Sequence, residues 1–245
     1  MVLRSGLAAF LLVIILMLMA LASHAQYRYS RIQGPSYIAL HGGFTQGLGA
    51  FGRMESNYSY GTFAKNGSHI GLEGAYFYSE NIGFGTMLRA NYHTVDSDKL
   101  ADEYLKDVEQ WIDASAEVEP FLIATGLMGF FLDLPTNEYF SFTFKLMAGL
   151  TVARKPWGKV NLTAIDLSQH NRKESSAWDS QFTLLNSIGT RINLNQWSIH
   201  VNIDYMGTKF HFDYTTAGYE QTLEQHIRLI SYNLAIAYRF NYFRY

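Results

Sequence analysis

The sequence predicts an all-β protein, an eight-stranded antiparallel up-and-down transmembrane β-barrel with long outer loops and short periplasmic turns. Three observations carry this. Side chains alternate apolar and polar over eight segments, the period of a strand with one apolar wall. The seven connections between them alternate strictly short and long, as in barrels with tight turns on one rim and extended loops on the other. Aromatic residues recur eight positions apart on the apolar face, at Phe84 and Tyr92, Trp197 and Tyr205, Tyr232 and Phe240. Eight residues of tilted strand rise about 21 Å, close to the ~25 Å apolar band that aromatic girdles flank in such barrels.

In chain order, residues 1–25 read as a signal peptide. Arg4 is followed by the apolar run Leu7–Ala22, and Ser23-His24-Ala25 supplies the small residues of a cleavage site. That run of 16 is shorter than the ~20 residues of a spanning helix. Residues 26–245 form the barrel domain. No later segment approaches a transmembrane helix, so a membrane location for this domain requires a closed barrel.

Strands are expected near 36–46, 68–78, 83–95, 116–132, 139–153, 179–193, 197–214 and 225–241. The alternation is clearest near the C-terminus. There Ile230, Tyr232, Leu234, Ile236, Tyr238 and Phe240 oppose Ser231, Asn233, Ala235, Ala237, Arg239 and Asn241. Trp197, Ile199, Val201, Ile203 and Tyr205 likewise oppose Ser198, His200, Asn202 and Asp204. The fourth strand is apolar on both faces from Phe121 to Leu132, and Pro120 argues against a regular ladder there. Short connections fall at 79–82, 133–138 and 194–196; long ones fall at 47–67, 96–115, 154–178 and 215–224.

A soluble barrel would alternate too, with its apolar face inward. Composition favours the membrane version. Charged residues make up 16% of the chain, against about 25% in soluble domains. The polar face is mostly small, including Gly43, Gly71, Gly85, Thr143, Gly149, Thr151, Ser187, Gly189 and Ser231, which suits a narrow lumen. Its charges are of both signs. Glu73, Asp204 and, in the weaker fourth strand, Glu117 and Glu119 face Arg89, Lys145, Arg191 and Arg239. Buried charges must pair, so an ion-pair network is expected to plug the lumen. Arg89→Ala or Glu73→Ala should open a leak only if this ion-pair plug is real. The deciding expectation is that Ile199, Ile203, Leu234 and Ile236 point outward while Arg239 and Asp204 are buried.

Short motifs add a resemblance. Asn81-Ile82-Gly83-Phe84-Gly85 enters a strand from a tight turn, Phe144-Lys145-Leu146-Met147-Ala148-Gly149-Leu150 is an "aromatic-x-L-x-A-G-L" strand, and Ala237-Tyr238-Arg239-Phe240 holds a terminal Y-R-F. With these the chain resembles the small outer-membrane β-barrel families abundant in Bacteroidota, including the PorT-like group. The resemblance implies location in the bacterial outer membrane and insertion by the outer-membrane assembly machinery, which reads an aromatic-ended last strand. Either Phe240 or Tyr245 supplies that end. Family roles are diverse, so no functional residue is carried over.

Chemistry is weakly signalled. With no cysteine, a thiolate metal site, a disulfide scaffold and a cysteine nucleophile are excluded. The net charge of −2 gives no reason to expect nucleic acid. Gly47-Leu48-Gly49-Ala50-Phe51-Gly52 matches G-x-G-x-x-G but lies in no βαβ unit. His93, His211 and Asp213 are the candidates for a rim hydrolase of the lipid A-modifying kind, yet no G-x-S-x-G accompanies them. His69 with Glu73, and His200 with Asp204, lie about 13 Å apart by strand rise, too far to share a metal. The reading is therefore a non-enzyme with no assigned catalytic, cofactor-binding or metal-ligating residue.

The loop 96–115 is acidic, with Asp96, Asp98, Asp102, Glu103, Asp107, Glu109 and Asp113; the loop 154–178 is basic, with Arg154, Lys155, Lys159, Arg172 and Lys173. Ordinary solvated loops are the default account. The alternatives are pairing across the mouth, or contact of the basic loop with lipopolysaccharide phosphates. Residues 102–111 are expected to form a short amphipathic turn, with Leu100, Tyr104, Leu105 and Val108 partly on one face. The sequons at Asn57, Asn66 and Asn161 are coincidental in a bacterial barrel. The expected partners are outer-membrane lipids, lipopolysaccharide and the assembly machinery. The expected role is that of an envelope structural protein, an adhesin or an accessory subunit of an outer-membrane complex. A lipid A-modifying enzyme or a small pore are the alternatives.

Overall fold

The structure is a computed structural model and describes residues 36–52, 62–107, 110–216 and 219–240. The segment 1–25 expected to be a signal peptide, Asn57, Val108, Glu109 and the final residues through Tyr245 lie outside them.

The described residues form eleven strands: β1 (Tyr37–Leu48), β2 (Gly67–Phe77), β3 (Ile82–His93), β4 (Trp111–Val118), β5 (Phe121–Pro135), β6 (Phe140–Lys155), β7 (Gly158–Ala164), β8 (Gln169–Glu174), β9 (Ala177–Leu194), β10 (Trp197–Thr216) and β11 (Tyr219–Arg239). A helix, α1 (Ser97–Asp107), lies between β3 and β4. Eight of the strands close a ring in the order β11-β1-β2-β3-β5-β6-β9-β10, sealed by pairing of β10 with β11. Every pairing is antiparallel. This is the up-and-down eight-stranded barrel expected from the sequence.

The two walls are arranged as the alternation requires. Ile203, Leu234 and Ile236 are 47%, 57% and 58% exposed on the outside, while Asp204 and Arg239 are 1% and 5% exposed within. Ile199 shares the outward parity and is half-buried. The short-turn rim holds the connections 78–81, 136–139 and 195–196; in the last of these Asn195 takes a left-handed φ of 55°.

Three sequence expectations need correction. The single strand at 116–132 is two strands. Pro120 has no N–H to give a ladder, and the chain turns a corner there, so β4 leaves the barrel and pairs with β7. The long loop 154–178 contains β7 and β8. The loop at 215–224 is mostly strand, because β10 and β11 stay paired up to Thr216 and Tyr219. That hairpin rises beyond its neighbours, since β9 follows β10 only to Gly207 and β1 follows β11 only to Arg228.

The hairpin also reverses its polarity. Up to Tyr205 the apolar side chains of β10 point outward. Above it, Met206, Phe210 and Phe212 are apolar and buried, while Lys209, His211 and Asp213 point out. In β11 the switch falls between Leu229, buried, and Tyr232, exposed. Below the switch the hairpin is apolar outside; above it the hairpin is built like a soluble one.

Glycines let β5 and β6 approach closely. A Cβ on Gly149 would lie 2.9 Å from Leu127 Cα, and one on Gly129 would lie 2.6 Å from Met147 Cα. Gly149→Val is expected to cost about 1–3 kcal/mol, the usual range for overpacking, read as a lower urea midpoint in detergent.

Candidate functional site

The lumen is filled in layers. Toward the short-turn rim, Lys145 Nζ donates to Glu73 Oε1 and Oε2 at 2.7 and 2.6 Å, and Tyr37 Oη donates to Glu73 Oε1 at 2.6 Å. Arg191 pairs with Asp133 nearby, and Arg239 Nη1 donates to the Asn195 carbonyl at 3.1 Å. Midway, Arg89 pairs with Asp204, which also accepts from Asn233 Nδ2. His69 bonds Asn233 and lies 2.8 Å from Thr45 Oγ1. These groups come from all eight strands of the ring, and all three ion pairs are buried.

Above them runs a threonine chain. Thr183 Oγ1 donates to Thr151 Oγ1 at 2.7 Å, and Thr151 to Thr125 at 3.1 Å. An apolar layer follows, made of Phe51, Phe121, Ile123, Leu185, Met206, Phe210, Phe212, Ile227 and Leu229, all 4% exposed or less. Phe210 and Phe212 stack with ring centroids 5.5 Å apart. Two seals therefore stand in series, an ionic one below and an apolar one above. The expected network is present, and it includes Asp133, which the sequence places at the start of the short connection 133–138. Glu117 and Glu119 are not in it. Glu117 is exposed on β4, and Glu119 accepts from Arg154 Nη2 at 2.7 Å outside the lumen. The apolar upper layer explains why Phe121 to Leu132 reads as apolar on both faces, since one row meets lipid and the other the plug.

Beyond the barrel the chain builds a cap. β8, β7 and β4 form a sheet joined to the hairpin by the bridge between Glu174 and Thr216. The helix α1 packs on β4, and Ala101, Val160 and Leu162 are buried there. It begins at Ser97, earlier than the turn expected at 102–111, because Asp96 caps it: the Lys99 N–H donates to Asp96 Oδ1 at 3.4 Å. The opposite face of the sheet is a polar grid. Its ladder rows are Asp113-Thr163-Gln169, Ser115-Asn161-Asn171 and Glu117-Lys159-Lys173. The acidic and basic loops thus meet through a backbone ladder, and Glu119, just after β4, pairs with Arg154 of the basic loop.

The hydrolase candidates are not brought together. His93 is buried at the top of β3, 3.1 Å from the Lys65 carbonyl and edge-on to Phe51. His211 and Asp213 lie on the outer face of the hairpin, where Asp213 accepts from Thr222 Oγ1 at 2.6 Å. A Ser-His-Asp group missed by the sequence reading occurs in the turn between β7 and β8. Ser168 Oγ lies 3.2 Å from His170 Nε2, but it donates to Asp166 Oδ1 at 2.6 Å. That hydroxyl, then the Ser168 N–H, holds the Asp166 carboxyl below the ordinary range. The carboxylate orients the serine and not the histidine, which is the wrong order for a triad. His200 lies 2.9 Å from Ser198 Oγ and edge-on to Tyr37, and Asp204 is taken by Arg89. Among the described residues no cluster of three or more His, Asp or Glu suits a metal. Residues 47–52 are the end of β1 and one 3₁₀ turn, with no helix to receive a dinucleotide.

No protein-family model matches the chain, and no curated protein does either. Solved structures with a similar layout include the attachment invasion locus protein Ail of Yersinia pestis, at 13% identity and a TM-score of 0.42, covering 85% of this chain and 99% of that one. Neisserial surface protein A matches at 7% identity and a TM-score of 0.43, covering 84% and 97%. The outer membrane protein OprG from Pseudomonas aeruginosa matches at 13% and 0.41, covering 86% and 99%. The assignment of the barrel rests on the closed strand ladder of this chain itself.

Proposed function

We propose that this chain is a bacterial outer-membrane barrel that neither conducts nor catalyses, and that works through its outer cap as an adhesive, structural or accessory component of the envelope. The doubly sealed lumen carries this reading. Side chains fill both the polar and the apolar layer, which leaves the structured cap as the surface for recognition. The apolar belt supports the membrane location, because a closed barrel satisfies every backbone group in lipid. Its lower border is marked by Trp197, Tyr238 and Phe240, exposed near the short turns.

Lipopolysaccharide is the expected neighbour of the upper border. Arg154, Lys209 and Arg228 face outward at the tops of the apolar rows of β6, β10 and β11. The Arg154 guanidinium lies 6.0 Å from the exposed Trp178 ring. Cations at this height match the phosphates of an anionic lipid surface. Insertion by the assembly machinery would use the aromatic end of β11, of which Phe240 is described and Tyr245 is not.

Unboiled protein is expected to migrate faster than boiled protein on a gel and to give no conductance in planar bilayers. Lipid A from cells with and without the gene is expected to have the same mass profile. Steady single-channel steps would refute the sealed lumen, and an altered lipid A profile would refute the non-enzymatic role.

A further inference from the structure

Below the cations at their upper ends, the outward rows hold two carboxamides among the described residues: Gln46 at the upper end of the β1 row, beyond Phe44, and Asn186 within the β9 row, between Leu184 and Ile188. The ladder partners of Asn186 are Leu146 on β6 and Tyr205 on β10. Leu146, Leu184 and Ile188 are all exposed. Asn186 is exposed too, and no described side chain or backbone group bonds its amide. Thr86 and Thr190 also lie in outward rows, but a hydroxyl can bond back to its own strand. A carboxamide with two donors and a carbonyl acceptor cannot be satisfied that way, and lipid chains offer it nothing.

We propose that the β6–β9–β10 wall is an interface with a second copy of this chain, with Asn186 pairing with the partner's Asn186 across a two-fold axis along the membrane normal. Depth selects this occupant. Two copies in one membrane present Asn186 at the same height by construction, whereas a different protein would need its own polar group at that level. The amide is also self-complementary. Each copy gives an N–H and takes one on its carbonyl, as an isologous contact requires. The inference rests on the reading of this wall as lipid-facing.

The chain has no cysteine, so a single introduced one reports without interference. Leu184→Cys keeps the amide and places a thiol beside the axis; Leu72→Cys, on β2 across the barrel, is the control. Oxidation in native membranes is expected to give a disulfide dimer of twice the chain mass for Leu184→Cys and none for Leu72→Cys. Adding Asn186→Leu should lower the dimer yield about tenfold, the scale of a hydrogen-bonded pair in a membrane, while the faster-migrating folded band persists. No dimer above the control, an undiminished yield with Asn186→Leu, or a product of another mass would each overturn the proposal. A lipid-dissolved maleimide separates the two levels of failure. If it labels both cysteines but no dimer forms, only the interface is wrong; if it labels neither, the lipid-facing reading itself falls.

Discussion

Lys145→Met is expected to destabilise the barrel by about 3–5 kcal/mol, the penalty for leaving one member of a buried ion pair without its partner. The ammonium is the one cation hydrogen-bonded to Glu73, and both side chains are nearly inaccessible. Once it is removed, the carboxylate keeps only the Tyr37 hydroxyl, a single neutral donor. Water cannot replace the ammonium freely, because Phe131, Tyr37 and Met147 pack the same level. The pair itself need not be favourable over an apolar filling. Glu73→Leu combined with Lys145→Met should therefore recover most of the loss. Urea unfolding in detergent micelles measures both. A single variant that unfolds at the wild-type urea concentration would show that the carboxylate is not confined.

The second large effect concerns the upper seal. Phe210→Ala and Phe212→Ala should each cost about 3–5 kcal/mol, since both rings are fully buried and are lost from one stacked pair. The permeability result is the more discriminating one. Because two seals lie in series, neither variant should conduct, and Arg89→Ala or Glu73→Ala should not leak either. This reverses the expectation drawn from the charges alone, which treated the ion pairs as the whole plug. Conductance recorded in planar bilayers from a variant altered in just one layer would show that the other layer does not close the lumen.

Much of the barrel was legible because lipid enforces a strict pattern. Each outward position in the belt must be apolar, so a period of two survives along whole strands. The ion pairs were legible for a related reason, since a charge at an inward position of such a strand has to find its opposite. Asp133 escaped although its odd number continues the inward row of Phe131, Gly129 and Leu127; the following Pro135 and Asn137 read as a turn and masked the parity. The cap was not legible. β8 is Gln-His-Asn-Arg-Lys-Glu, with no apolar residue to mark a face, and its strand character comes from pairing with β7. The upper hairpin was legible on one side. The expected strand 197–214 already holds Phe210, Phe212 and Tyr214, which keep the period of two with the parity exchanged, whereas the start of β11, Tyr-Glu-Gln-Thr-Leu-Glu at 219–224, has too few apolar residues to mark a face.

The exchange of faces in β10 and β11 also acts as a waterline. Sinking the molecule by two residues would carry Lys209 and Arg228 toward hydrocarbon, and raising it by the same step would lift Tyr205 and Tyr232 out of the girdle and bring Ile203 and Leu234 up to its level. Either displacement is opposed from its first ångströms, so the immersion depth is set by the chain itself and the cap is held at a fixed height above the surface.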